Sequence, residues 1–149
     1  MARVYTTLPH VPPAELTERV FLLFEDRGRD ISGLLEFGSV VQVFDSASPW
    51  QVPSDALLAS GFTHALQSYF ATHGFTDADY VVAMGDPVAI AAAVHEAARV
   101  NGGRVRVLRW ERLPCPSCRR FATINRTCPT HRVTGRYVTV PLVFSRATR

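Results

Sequence analysis

Hydrophobic and polar residues change their spacing several times along the chain, and these changes predict alternating strands and helices. Runs rich in β-branched and aromatic residues, bounded by glycine, proline or charged residues, are typical of strands. Five such runs occur, at residues 19–24, 39–44, 80–84, 104–113 and 137–144. A helical turn is predicted over residues 31–37, with Asp30 as its cap and Gly38 at its end. Residues 1–17 and 46–52, which contain prolines, are expected to form an irregular arm and a loop.

The first longer helix is predicted from apolar residues that repeat every three or four positions. The residues that carry this spacing are Leu58, Phe62, Leu66 and Tyr69. Ser54 is a suitable N-cap, because its hydroxyl can accept a hydrogen bond from a free amide of the first turn. Gly74 is expected to end the helix, since glycine adopts the left-handed conformation that terminates many helices.

A second helix is predicted after the third strand. Asp86 is its expected N-cap and Pro87 its first residue, where the missing N–H of proline costs nothing. Residues 89–98 are rich in alanine, which allows a helix axis to lie close to a sheet. The helix is expected to end at Asn101-Gly102-Gly103.

This order of elements indicates an α/β fold. Strands separated by helices usually pair in parallel through right-handed crossovers. The last two strands have no helix between them, so we expect them to be antiparallel and to lie at an edge of the sheet. The sequence therefore predicts one α/β domain over residues 1–149, a small and mostly parallel Rossmann-like sheet flanked by helices in three layers. An edge hairpin would carry an inserted loop at residues 113–135.

Composition indicates a globular protein without a membrane span. The chain is 47% hydrophobic and 19% charged, which is typical of folded domains. No apolar run approaches the ~18 residues of a transmembrane helix. The first 13 residues do not resemble a secretory signal, so we expect a cytoplasmic location. The three cysteines lie close together, which favours metal binding over disulfide formation.

Four residues of the inserted loop have the spacing of a zinc site. Cys115 and Cys118 are separated by two residues, nine residues follow, and Cys128 and His131 are again separated by two. Such paired ligands are typical of structural zinc sites, and these resemble the knuckles of zinc ribbons. We therefore predict one structural Zn²⁺ ion. The alternatives are ordinary loop cysteines or a catalytic zinc, although four protein ligands leave no open position for water.

The zinc knuckle pattern is incomplete in one respect. Zinc ribbons often have glycine after the second ligand of each knuckle, whereas this chain has Arg119 and Arg132 at those positions. This difference puts the local turn geometry in question rather than the binding of the metal.

Charge is strongly segregated along the sequence. Residues 1–100 have five arginines and twelve acidic residues, a net charge of −7. Residues 101–149 have eleven arginines and one acidic residue, Glu111, a net charge of +10. All 16 basic residues are arginine, which the base composition of the genome or selection for bidentate phosphate contacts could both explain. A basic block of this kind is typical of a surface that binds phosphates or an acidic partner.

The residues predicted to bind a partner lie in and beside the zinc loop. They are Arg109, Arg112, Arg119, Arg120, Phe121, Arg126, Arg132 and Arg136. Arginines with an interleaved aromatic suit phosphate contacts and base stacking, which favours a non-enzymatic protein that binds nucleic acid or a nucleic-acid-bound machine such as RNA polymerase. The same residues also suit an acidic protein partner, and a charged loop that only maintains solubility is a third interpretation.

Evidence for an enzyme is weaker. The turn Gly85-Asp86-Pro87 follows a strand and opens a helix, where a nucleotide phosphate could bind. However, the chain has no G-x-G-x-x-G, no Walker lysine and no G-x-S-x-G, so no catalytic residues are predicted. Asp77, Asp79 and Asp86 could bind a cation if they met at one end of the sheet.

Residues 79–108 also have a family resemblance. Their pattern D-Y-V-V-x-x-G-D-P, followed by N-G-G-R-V, resembles uncharacterised small proteins encoded by tailed bacteriophages. The resemblance extends loosely over residues 19–144. It implies an accessory protein that acts inside a host cell, with the zinc loop as an insertion relative to those proteins, and it implies no particular activity.

Overall fold

The computed structural model describes residues 18–24, 31–44 and 61–145 of the 149-residue chain. The elements in chain order are β1 (Arg19–Leu22), a 3₁₀ helix (Ser32–Glu36), β2 (Ser39–Gln42), α1 (Phe62–His73), β3 (Tyr80–Val82), α2 (Pro87–Val100), β4 (Arg104–Leu113) and β5 (Thr134–Val143). All five predicted strands and both predicted helices are therefore present. The predicted arm, the loop at residues 46–52, and the caps Asp30 and Ser54 lie outside the described residues.

The helix boundaries follow from their capping residues. The Asp86 carboxylate accepts hydrogen bonds from the Val88 and Ala89 amides at 2.8 and 3.1 Å, so its predicted role as N-cap of α2 is confirmed. Gly74 ends α1 with a left-handed φ of 62°, also as predicted. The described part of α1 begins after Gly61, which has a φ of 66° and provides no side-chain cap.

The five strands form one sheet in the order β2-β1-β3-β4-β5. The first four strands in this order are parallel, and β5 pairs antiparallel to β4 at an edge, as predicted. The chain moves in one direction from β1 to β2, then crosses back past β1 to reach β3. Because right-handed crossovers in opposite directions place their connections on opposite faces, the 3₁₀ helix lies on one face and the two α-helices lie on the other.

Two hydrophobic cores result, one on each face of the sheet. On the helical face, Phe21 and Val81 pack with Phe70 of α1 and Ala93 of α2. On the other face, the apolar residues of the sheet pack around Leu34 of the 3₁₀ helix. The predicted mostly parallel α/β fold is confirmed, and the helical turn predicted over residues 31–37 is the 3₁₀ helix Ser32–Glu36, which forms the third layer in the described ranges.

A buried ion pair connects β1, β3 and the end of α1. The Arg19 guanidinium donates to both Asp79 carboxylate oxygens, at 3.0 and 2.7 Å, and also to the carbonyls of His73 and Gly74. Asp79 is only 2% exposed. The three aspartates that could have formed a cation site do not meet, because Asp79 and Asp86 lie before and after β3, at its opposite ends, while Asp77 pairs with Arg104.

Replacement of Asp79 by alanine is expected to reduce the free energy of unfolding by about 3–5 kcal/mol, because it leaves the Arg19 guanidinium largely buried without its carboxylate. Urea denaturation followed by circular dichroism would measure this loss. Asp77→Ala is a matched control two residues away. Its ion pair with Arg104 is exposed, so a change of no more than about 1 kcal/mol is expected. Equal losses for the two variants would contradict the assignment.

The β4–β5 hairpin extends beyond the rest of the sheet. β3 pairs with β4 through residues 106–108, whereas β4 and β5 remain paired to the ends Leu113 and Thr134. Residues 109–113 and 134–138 therefore form a two-stranded ribbon, which projects from the carboxyl end of the parallel strands by roughly 16 Å at ~3.3 Å per residue. We call these ten residues the ribbon, and residues 114–133 at its end the tip.

Candidate metal centre and basic hairpin

The four predicted metal ligands meet at the base of the tip. The sulfur atoms of Cys115, Cys118 and Cys128 and a ring nitrogen of His131 all lie within 4.8 Å of one another. The closest pair described is Cys118 Sγ and His131 Nδ1, which are 3.1 Å apart. No disulfide joins the cysteines. The predicted convergence is confirmed, and this cluster could bind one metal ion.

Backbone turns orient the ligands. In the first turn, the Arg119 amide donates to the Cys115 carbonyl at 2.8 Å, and the Cys115 amide donates to the Arg120 carbonyl at 3.0 Å. In the second, the His131 amide donates to the Cys128 carbonyl at 3.1 Å. These turns direct both members of each ligand pair toward the same point.

The electrostatic environment favours a thiolate at Cys115. Hydrogen bonds from the backbone amides of Cys118 and Arg132 lower the pKa of Cys115 to about 5. Because Arg132 belongs to the second turn, this contact also joins the two halves of the cluster. Partial burial raises the pKa of Cys118, but hydrogen bonds from the Arg120 amide and from other groups outweigh burial and lower that pKa. Thiolates are the form of cysteine that binds metals.

Cys128 and His131 complete the cluster. Burial raises the pKa of Cys128. The His131 Nε2–H group donates to the Ala122 carbonyl at 2.6 Å, and this bond, followed by contact with Cys118, raises the pKa of the imidazole. Metal-binding histidines usually donate their second ring nitrogen to a carbonyl in this way, which leaves the other nitrogen free for the ion. The donor set therefore fits a metal ion.

The tip has no hydrophobic core of its own. Its two large apolar side chains, Phe121 and Ile124, are 53% and 74% exposed. Cys115 is buried, and the remaining contacts are polar, including one between the Ser117 and Thr130 hydroxyls at 2.9 Å. The ligand cluster is therefore the main feature that can hold the tip in one conformation.

Arg119 adopts an unusual backbone conformation. Its φ is 61°, and it is the one non-glycine residue with positive φ in the described parts of the chain. This is the position where zinc ribbons often have glycine, so the first turn keeps the expected geometry without the expected residue. Left-handed geometry costs a residue with a side chain roughly 1–2 kcal/mol. Arg132, the corresponding residue of the second turn, does not have positive φ.

The conformation of Arg119 predicts the effect of glycine at this position. Arg119→Gly should bind the metal more tightly than Arg119→Ala, by about fivefold for ~1 kcal/mol of relieved strain. Competition with a chromophoric chelator would measure the two affinities. The same pair of substitutions at Arg120, which has no positive φ, is the matched control. Arg120→Gly should bind the metal no more tightly than Arg120→Ala. If the glycine variant bound more tightly than the alanine variant at both positions, backbone strain at Arg119 would be ruled out as the cause.

The predicted partner-binding residues lie along one projecting structure. Phe121 and the seven predicted arginines are exposed on the ribbon and the tip. Arg136 donates to Glu111, the single acidic residue of the ribbon, at 3.0 Å. The other six arginines have no acidic partner among the described residues, and they are Arg109, Arg112, Arg119, Arg120, Arg126 and Arg132. Their role in binding stays a prediction.

Trp110 is a candidate residue that was not predicted from the sequence. Alternation along β4 could not decide whether Leu108 or Trp110 is buried, and the structure buries Leu108 and leaves Trp110 47% exposed. The sequence signal is Gly135 on the paired strand, because a ring on one strand often covers a glycine on the next.

The turn at Gly85 is poorly suited to bind a nucleotide phosphate. The amides of Val88 and Ala89, which would face a phosphate at the start of α2, already donate to the Asp86 carboxylate. A cavity of about 400 Å³ lies at the opposite end of α2, where its lining includes His95, Arg99 and Phe144. The described geometry therefore gives little support to the nucleotide-binding alternative.

No helix in the described ranges is long and apolar enough to cross a membrane.

Comparison with protein families gives one match. A family model described as "Phage Pam3 gp32-like protein" matches residues 26–114, more than half of the chain, from the segment after β1 to the residue before Cys115. No match was found among curated proteins or among solved structures. The family match confirms the resemblance to phage proteins, and the chain belongs to the Phage Pam3 gp32-like protein family.

Proposed function

We propose that this protein is a non-enzymatic phage accessory protein, made in the host cell, whose zinc-stabilised and arginine-rich hairpin binds nucleic acid. The observation that carries this proposal is the display of six exposed arginines on the ribbon and the tip, none of which has an acidic partner in the part of the chain that the structure describes. Charged side chains that serve only solubility are usually mixed in sign, whereas a surface of one sign attracts phosphates.

Zinc is the ion that best suits the cluster. Three thiolates and one imidazole nitrogen are the donors of Cys3His structural zinc sites, which are tetrahedral with ligand distances of about 2.0–2.3 Å. When bound, the ion crosslinks the two turns, and the four protein ligands leave no position for a reacting water molecule. Cys115, Cys118, Cys128 and His131 would therefore hold zinc in a structural role.

The size of the loop also supports a binding role. Two residues can close a hairpin, whereas this one contains 20 residues between Leu113 and Thr134. Metal binding supplies roughly 10–16 kcal/mol in zinc-finger peptides, which is enough to order a segment that has no core. The groups displayed by this segment are mostly guanidinium groups. Arginine at the strained position 119, where glycine would fit without cost, is consistent with a role for that side chain.

The proposal predicts salt-dependent binding to DNA or RNA. Fluorescence anisotropy of labelled 20-nucleotide single strands and duplexes, at about 50 and about 200 mM salt, would test it with the metal-loaded protein. Saturable binding that weakens steeply with salt is expected, because arginine–phosphate contacts release counterions. Absence of binding to every DNA and RNA at the lower salt would reject direct nucleic-acid binding.

A second candidate function is docking to an acidic protein, including a component of a nucleic-acid machine such as RNA polymerase. The exposed side chain of Ile124 supports this alternative, because it has no ring for stacking and would suit an apolar contact. A partner captured from host extract should then remain after nuclease treatment. It should be lost when Arg119 and Arg120 are replaced, while loss upon nuclease treatment alone would favour the first proposal.

A further inference from the structure

The ribbon has two faces with different charge. Register and burial place Trp110, Arg112, Gly135 and Tyr137 on the face that continues the 3₁₀ side of the sheet, because Tyr137 packs in the same core as Leu108. The residues of the opposite face include Arg109, Glu111 and Arg136. Since Glu111 is the single acidic residue of the ribbon and lies on the opposite face, the Trp110 face of the ribbon has one exposed arginine and no carboxylate.

The Trp110 indole covers Gly135 of the paired strand. A Cβ atom added to Gly135 would be only 2.2 Å from the indole atoms Cε2 and Cζ2, so the ring occupies the space that a side chain would fill. Tyr137 contacts the same indole in an edge arrangement, with ring centroids 4.9 Å apart and an angle of 68° between the planes. These contacts hold the ring in one orientation before a ligand binds, so little side-chain entropy of Trp110 would be lost on binding.

The rest of the indole faces solvent. Trp110 remains 47% exposed, although one side of its ring covers Gly135. The indole N–H has no hydrogen-bond partner among the described residues. Arg112 lies two residues further along the same face, opposite Gly135, where no side chain competes for space. An open aromatic surface beside an unpaired guanidinium is the combination that single-stranded nucleic-acid sites use for bases and phosphates.

We infer that Trp110 stacks on an unpaired base, so that the ligand of the hairpin is single-stranded nucleic acid. This inference rests on the proposed function and narrows it. In duplex DNA or RNA the base faces are covered by neighbouring bases and are not available to stack on Trp110. The nucleic-acid strand would run along the ribbon with one base stacked on Trp110. Arg112 and the arginines of the tip would contact the phosphates on either side of that base.

The direct test is the fluorescence of Trp110 itself. The chain has two tryptophans, so Trp50→Phe leaves Trp110 as the single tryptophan. Titration with single strands of about 12 nucleotides, as oligo(dA) and oligo(rA), should quench its emission with the same Kd that anisotropy reports. A duplex of equal length should bind more weakly and quench less. Comparison of the two oligomers shows whether the 2′-hydroxyl contributes.

Substitutions of Trp110 distinguish stacking on a base from a role in which the indole only covers the backbone at Gly135. Trp110→Leu should weaken single-strand binding by about 5- to 150-fold, the range for loss of one base stack, whereas Trp110→Phe should retain most of the affinity. Phe144→Leu is the matched control, since Phe144 is equally exposed at 48% but lies past the far end of β5. It should leave the affinity unchanged, and circular dichroism should show that all three variants remain folded.

Four outcomes would overturn the inference. One is that single strands bind without quenching the fluorescence of Trp110, and another is that Trp110→Leu binds single strands with wild-type affinity. Either result would leave nucleic-acid binding in place and show that Trp110 only shields Gly135. Equal affinity for the duplex would have the same meaning. Failure to bind any oligonucleotide would reject the proposed function and the inference together.

Discussion

Removal of zinc is expected to unfold the tip and abolish nucleic-acid binding, while the five-stranded sheet remains folded. The tip has no apolar core, because Phe121 and Ile124 are exposed. Without the roughly 10–16 kcal/mol that metal binding supplies, no other interaction within the tip is strong enough to keep it folded. Without the ion, the thiolates of the cluster would also repel one another. Elemental analysis should first find one zinc per chain.

Trypsin provides a direct measurement of this unfolding, because the tip contains four arginines, at positions 119, 120, 126 and 132. The metal-loaded tip should resist cleavage, whereas treatment with a strong chelator should produce cuts within residues 114–133 and readdition of zinc should restore protection. Circular dichroism of the sheet and the two helices should change little, because their cores do not include the tip.

A ligand variant and a matched control complete this experiment. Cys128→Ser should behave like the metal-free protein even when zinc is present. Thr123→Ala changes an exposed residue of the same tip and should behave like the wild type. A purified protein without zinc, or a tip that resists trypsin equally with and without the ion, would show that the metal does not stabilise this structure.

Loss of two arginines from the tip is expected to reduce the salt dependence of binding. For single strands, the logarithm of affinity falls with the logarithm of salt by about 0.7 for each phosphate contact. If all six arginines without acidic partners contact phosphates, a rise from about 50 to about 200 mM salt should weaken binding a few hundredfold. The double variant Arg120→Gln/Arg126→Gln should lower that slope by about 1.4, with weaker binding at every salt concentration.

The chain offers a control with the same change in charge. Arg99 and Arg104 form ion pairs with Glu96 and Asp77, and neither lies on the ribbon or the tip. Arg99→Gln/Arg104→Gln should therefore leave the salt slope unchanged. A wild-type affinity that is insensitive to salt would show that arginine–phosphate contacts do not drive binding. Equal losses for the two double variants would show that net charge rather than the hairpin determines binding.

Local chemistry made several features predictable. The prediction of Asp86 as an N-cap was correct, because a carboxylate before proline accepts hydrogen bonds from the free amides of the first helical turn, whatever the helix packs against. The end of α1 at Gly74 follows from the same kind of local preference. The ligand set was also predictable, since two ligands separated by two residues can converge through their own turn, and the two pairs need only one meeting point.

Other features depend on contacts between distant residues. No local pattern shows that Asp79 pairs with Arg19, which is 60 residues away. The position of Trp110 over Gly135 depends on the register of β4 and β5. The left-handed conformation of Arg119 is a different case, because it occurs in a local turn but arginine has no intrinsic preference for it.

The order of strands and helices, the four metal ligands and the concentration of arginines after residue 100 could be read from the sequence, because each depends on residues close together in the chain. The placement of both α-helices on one face of the sheet, and of Trp110 and Glu111 on opposite faces of the projecting ribbon, became visible only in the folded protein. The physical reason is that crossover direction and strand register are set by packing over the whole sheet, whereas caps and ligand turns are set within a few residues.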